Sequence, residues 1–226
     1  RAQGEVFASK GGVDLMITEF VENSFDAIKR RKVLESFPKA LKQIKFDQEM
    51  EQFAIEKYTL PITEFNEKHK KISDVQNENI SKLEDKILEV IASENQRTEY
   101  VVVELDDEKQ EVRIIDSGTG IEYPIHICEQ PFVSLKTGET YSTGKFGRGS
   151  QVFREFCEVM EFCSLRDKVS PREKEKIEDA HLETENFDPK SICLTFPSDY
   201  PGGVFEIVDS DRFKEMSNYS RIGTVV

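Results

Sequence analysis

Residues 32 to 98 contain no glycine, and after Pro38 they contain only one proline, Pro61. A stretch of that length without its usual breakers is poorly suited to strands and turns. Its apolar residues recur at helical spacing: Leu41, Ile44 and Phe46, then Met50, Phe53 and Ala54, then Ile62, Phe65 and Ile72, then Ile80, Leu83, Ile87, Val90 and Ile91. The pattern predicts two or three helices, broken near Pro61. A heptad seam started at Ile62 fails, because His69, Gln76, Asn79 and Lys86 fall on it. A packed helical hairpin or arm is therefore expected instead of a coiled-coil dimer, and a partner-binding arm is its functional alternative.

The character changes at Glu99. "YVVVEL" and "EVRIID" are β-rich runs joined by the polar "DDEK", which together read as a hairpin. A short helix near Pro124 to Gln130 follows, then a Gly/Ser/Thr-rich loop from Ser134 to Ser150. "QVFREFC" reads as helix and "VMEFCSL" as strand. Residues 166 to 190 form a charged linker, and "SICLTF", "GVFEIV" and "IGTVV" are further strands. Before all of these, a helix is expected from about Val13 to about Arg31. The expected class is α+β, a two-layer sandwich in which helices cover one face of a mixed, mostly antiparallel sheet. The whole of 1–226 is read as one domain that carries a helical insertion at 32–98.

Composition removes several functions. A net charge of −13 argues against a sequence-independent grip on nucleic acid by the whole chain. No apolar run is long enough for a membrane span. Cys128, Cys157, Cys163 and Cys193 lack C-x-x-C spacing and have apolar neighbours, so buried thiols in a reducing compartment are expected. That places the protein in the cytoplasm, or in the nucleus of a eukaryotic cell. The chain opens on Arg1 and closes on the strand-like "RIGTVV", and is expected to be part of a longer protein.

Three stretches carry chemistry. In "EFVENSFDA", Glu19, Glu22, Asn23 and Asp26 share one helix face, opposite Ile17, Phe20, Val21, Phe25 and Ile28. Such a stripe is either a solvated face or a deliberate cluster of oxygens, and like charges so placed repel. In "IIDSGTGI", Asp116 ends an apolar strand beside Gly118 and Gly120. This is either a plain Asp–Gly turn or a carboxylate that accepts a hydrogen bond from a flat ligand brought close by the glycines. In "TGKFGRGS", Gly144, Gly147 and Gly149 lead toward a helix and offer backbone N–H groups suited to phosphate. The loop matches neither the dinucleotide fingerprint nor the Walker loop, in which Phe146 would have to be a hydroxyl residue.

In this order the three stretches resemble the nucleotide-binding motifs of the GHKL ATPases, whose Bergerat-type fold is found in the DNA gyrase B subunit, the large heat-shock chaperone, MutL, MORC proteins and histidine kinases. Gly223-Thr224 looks like the Gly-Thr pair on a late strand of that family. The stretch 32–98 departs from the family, being much longer than the usual first connection. The resemblance implies ATP as ligand, with Mg²⁺ held by the Asn23 amide oxygen and Glu19 as general base toward the attacking water. It implies that Asp116 accepts from the adenine amino group, that Thr224 helps hold Asp116, and that Asp26 supports the adenine side. Gly118 and Gly120 would admit the ring. Gly144, Gly147 and Gly149, with Lys145, Phe146 and Arg148 between them, would form a lid over the phosphates. Lys136 and Lys145 would add positive charge there, or are solvated loop lysines.

The same resemblance implies slow hydrolysis, because many such families take one more cationic side chain from the following domain. It also implies a homodimer when ATP is bound. "ENSFDA" looks closest to MutL and archaeal type II topoisomerase B subunits, an ATP-gated enzyme of the DNA-topology, repair or MORC kind. The Gly-x-Phe-Gly-x-Gly lid and the acidic charge favour a chaperone-type ATPase as the alternative, acting on client protein instead of DNA. A histidine-kinase branch would need a phosphoacceptor, for which His69 is the candidate on the helical insert, without the usual acidic residue after it. A nucleotide-binding module without hydrolysis is disfavoured by Glu19.

Overall fold

The computed structural model describes residues 12–60, 62–94, 99–121, 156–166, 190–199, 203–208, 210–217 and 223–226. The expected helix near Pro124, the loop 134–150, most of "QVFREFC" and nearly all of the linker 166–190 lie outside them. The chain divides into two compact units, Arg1–Ile28 with Glu99–Val226, and Lys29–Thr98.

The first helix, α1 (Val13–Leu41), is ten residues longer than its sequence predicts and carries Pro38 inside it. Proline removes one backbone N–H bond, but so close to the end little helix remains to be disturbed. Past Arg31, the buried Val33, Ser36, Phe37 and Ala40 fall at helical spacing, and Arg31 Nε donates to Glu35 Oε1 one turn on at 2.8 Å.

The unit Lys29–Thr98 continues with α2 (Gln48–Thr59), α3 (Ile62–Lys68) and α4 (Asp74–Ser93). Asp47 caps α2 by accepting from Met50 N–H, and Ser73 with Gln76 forms a reciprocal capping box on α4. Phe53, Phe65, Ile80, Leu83, Ile87 and Val90 are buried as the helical spacing predicts, whereas Ile72 lies in the connection before α4 and is exposed. The Phe37 and Tyr58 rings stack at 4.6 Å. His69, one of the polar residues at the failed heptad seam, packs edge-on to Phe53, and its Nε2 lies 2.7 Å from buried Glu56.

The other unit is built on a six-stranded sheet of order β1-β2-β6-β3-β4-β5. The strands are β1 (Val101–Asp106), β2 (Glu111–Asp116), β3 (Val159–Leu165), β4 (Ser191–Pro197), β5 (Val204–Ile207) and β6 (Gly223–Val225). Every pairing among the described strands is antiparallel, where the expectation is a mixed but mostly antiparallel sheet. The fold class is α+β. Met16 and Phe20 of α1 pack on one sheet face with Ile114, Met160, Phe162, Leu194 and Phe196. The Phe20 and Phe162 rings meet edge-on at 5.8 Å.

Helices do not keep to one face. A further helix, α5 (Ser210–Ser217), puts Phe213 against Ile115, Cys163, Cys193 and Val225 on the other side. Successive strand residues point to opposite faces. Ile115, Cys163, Cys193 and Val225 point to this second face and are buried, so it also requires cover.

Candidate functional site

The C-terminal strand β6 is short, yet it lies between β2 and β3. Its register sets Thr224 opposite Asp116 on one side and opposite Ser164 on the other. Directly opposed residues share a face, so Asp116, Thr224 and Ser164 form one polar row across three strands. They continue the face on which α1 packs, because Ile114 and Phe162, two residues back along β2 and β3, belong to that core.

Asp116 is 5 % exposed. Its Oδ1 accepts from Gly118 N–H at 2.7 Å, which closes the turn after β2. Burial raises its pKa from 3.8 to about 6, against the pull of hydrogen bonds from Gly118, Ser24 and Thr224. The carboxylate is thus ionised near neutral pH but close to titrating. Ser164 Oγ accepts from Ile121 N–H at 2.9 Å and lies 3.1 Å from Gly223 O and 3.3 Å from Thr224 Oγ1. One hydroxyl thereby ties the turn after Asp116 to the strand that carries Thr224.

The helix meets this row through small residues. Ser24 is buried and bonds to Asp116. A Cβ added at Gly118 would lie 2.5 Å from Ala27 Cβ and 2.9 Å from Asp116 Oδ1, so glycine is what lets the turn reach α1. At Gly223 a Cβ would come within 2.0 Å of Asp116 O, so only glycine lets β6 approach β2 there. Gly120 adopts φ +78°.

The acidic stripe on α1 does not behave as one face. Glu22 is exposed, Glu19 and Asn23 are half-buried, and Asp26 is buried. A solvated face accounts for Glu22 alone. On the expected apolar side, Phe20 and Ile28 are buried, but Phe25 is 50 % exposed. The buried stripe runs instead through Met16, Phe20 and Ser24, with half-buried Ala27 against Gly118. Among the described residues no three His, Cys, Asp or Glu side chains gather as a metal cage.

The structure therefore brings Asp116, Gly118, Gly120 and Thr224 together beside the turns of α1 that bear Glu19, Asn23 and Asp26. Lys136, Gly144, Lys145, Phe146, Gly147, Arg148 and Gly149 lie outside the described residues. Ser24, Ala27 and Ser164 belong to the same locus; the first two lie within "EFVENSFDA" without an assigned role, and Ser164 lies in none of the motifs. Arg166, read from sequence as the start of a charged linker, is 1 % exposed at the end of β3, and its guanidinium reaches to 3.5 Å from Ile121 O. Cys163 and Cys193 are buried and Cys157 half-buried, all as thiols, while Cys128 lies outside the described residues. No helix among the described residues is long and apolar enough to cross a membrane.

No protein-family model matches the chain, and no curated protein matches it.

Proposed function

We propose that the chain is a GHKL-type, Bergerat-fold nucleotide-binding domain that takes ATP with Mg²⁺ and hydrolyses it slowly. The observation that carries the reading is Asp116, a buried carboxylate at a strand end, held by Ser24, Gly118 and Thr224. A buried acceptor beside a glycine turn suits the exocyclic amino group of adenine, and guanine presents a carbonyl at that position. Asn23 would hold Mg²⁺ through its amide oxygen, and the bound ion would neutralise phosphate charge. Glu19, one turn earlier on α1, orients the water that attacks the γ-phosphoryl group in line and takes its proton. Asp26 supports the adenine side.

The biological setting that best fits "ENSFDA" is an ATP-gated homodimer of the DNA-topology, repair or MORC kind. Calorimetry with ATP and GTP tests the binding site. ATP is expected to bind, GTP to bind much more weakly, and Asp116→Asn to lose most ATP affinity. Equal affinity for the two nucleotides would sink the adenine assignment. Glu19→Ala is expected to keep ATP affinity and lower turnover of the full-length protein by roughly 10²- to 10⁴-fold.

A further inference from the structure

Cys163 of β3 and Cys193 of β4 stand directly opposite each other in the ladder. Their side chains project to the same face, and both are fully buried. The hydrogen-bond pattern fixes the kind of pair they make. In the same register, Arg166 N–H donates to Lys190 O and Ser198 N–H donates to Glu158 O, so both of those opposed pairs are hydrogen-bonded. Hydrogen-bonded and non-hydrogen-bonded pairs alternate along an antiparallel ladder. Cys163 is an odd number of residues from both Arg166 and Glu158, so Cys163–Cys193 is a non-hydrogen-bonded pair. Such pairs bring Cα atoms to about 4.5 Å, the closer of the two spacings. A disulfide needs roughly 4.4–6.8 Å, so the bond can close without moving either strand.

We propose that Cys163 and Cys193 form a reversible thiol–disulfide modification site, closed by a low-molecular-weight disulfide such as oxidised glutathione. One cysteine thiolate attacks a glutathione sulfur; the glutathione S–S bond breaks, and one glutathione leaves as thiolate and takes up a proton. The second cysteine thiolate attacks the protein-bound sulfur of the mixed disulfide and releases the second glutathione. Two protein thiols are oxidised, one glutathione disulfide is reduced to two thiols, and the two cysteine protons end on glutathione. This reading does not depend on the nucleotide site.

Covered thiols are inert, so the cover decides the rate. Among the described residues the cover is α5, whose Phe213 packs on both cysteines' cluster. The helix has only eight residues. A helix so short does not hold itself together in water. Its local opening is the low-cost route to the thiols, well below global unfolding.

The test uses the whole chain, incubated with oxidised glutathione, alkylated, and mapped without reduction. The expected product is a single internal Cys163–Cys193 link that removes two hydrogens from the mass and is reversed by dithiothreitol. Phe213→Ala should form it at least about ten-fold faster, because it loosens the cover. If that variant proves unfolded by circular dichroism, urea below the wild-type transition should give the same acceleration. Stable glutathione adducts at Cys163 or Cys193, a link to Cys128 or Cys157, both thiols left reduced, or a rate indifferent to loosening α5 would each overturn the proposal.

Discussion

Ser164 and Thr224 face each other across β3 and β6 with their hydroxyl oxygens 3.3 Å apart, and the Ser164 hydroxyl also accepts from Ile121 N–H. Ser164→Ala would leave that backbone donor and the Gly223 carbonyl without this partner in a buried place. The expected cost is about 1–3 kcal/mol, the usual penalty for orphaning a buried polar group. In a domain of this size that lowers Tm by roughly 2–4 °C per kcal/mol. Urea titration of Ser164→Ala checks it, and a change within about 0.5 kcal/mol, typical of a surface site, would mean the hydroxyl holds nothing together.

Gly118 predicts a coupled pair. The Cβ of Gly118→Ala would meet Ala27 Cβ at 2.5 Å and Ala27 C at 2.9 Å. The turn after Asp116 must then lift off α1, at about 1–3 kcal/mol for overpacking. Ala27→Gly removes the closest of the clashing atoms but adds a helix-interior glycine, which costs about 1 kcal/mol. The double variant should therefore be less destabilised than the sum of the two singles. Simple additivity in denaturant titrations would show that the turn and the helix do not touch there.

Much of this locus is legible in the chain, and what escapes reading has a physical reason. β1 to β4 announce themselves as β-rich runs, and Asp116 is visible because a carboxylate ends an apolar strand next to glycines. Ser24, Ala27 and Ser164 carry no periodic signal. Their smallness matters only once Gly118 and Asp116 are known to be opposite them. The Phe25 error is one of width, since a helical wheel gives the direction of a buried stripe but not where it stops. Helix α5 was missed because a single buried aromatic, Phe213, anchors eight otherwise mostly polar residues. The sequence ends α1 too early because the buried residues beyond Arg31 sit among charges and on both sides of Pro38.

Glu56 gives the helical unit its own acid sensitivity. Its carboxylate accepts from Lys68, Gln52 and His69, and these bonds hold its pKa at about 2 instead of 4.5. A depressed carboxyl stabilises the fold above its unfolded value, and that contribution is lost as pH falls from about 4.5 toward 2. Lys68 is more than half exposed, so solvent screens its share. Glu56→Gln should cost about 1–3 kcal/mol at neutral pH, in line with hydrogen bonds to charged groups. The difference from wild type should shrink below pH 4.5. Hydrogen exchange of α2 and α3 in the two proteins reads this out, and a pH-independent difference would mean the charge on Glu56 is irrelevant.

Asp116 works in the opposite sense. Burial raises its pKa from 3.8 to about 6, so between these values the folded state binds the proton more readily than the unfolded chain. Stability of the nucleotide-free protein therefore rises as pH falls through that window, by at most about 3 kcal/mol for a shift of this size. Glu56 is silent over the upper part of that window, because its own contribution changes only below 4.5. Under the proposed function, ATP affinity moves the other way. The adenine amino group bonds more strongly to an ionised acceptor, and protonation of Asp116 below about pH 6 weakens that bond. Acidification should thus strengthen the empty protein while weakening its grip on ATP. Asp116→Asn cannot titrate and should flatten both slopes. Denaturant titrations and ATP calorimetry at matched pH values, on wild type and Asp116→Asn, separate the two effects. A stability slope that survives in Asp116→Asn would place the proton elsewhere. A stability slope that disappears while ATP affinity stays pH-independent in wild type would keep the buried carboxylate and discard adenine as its partner.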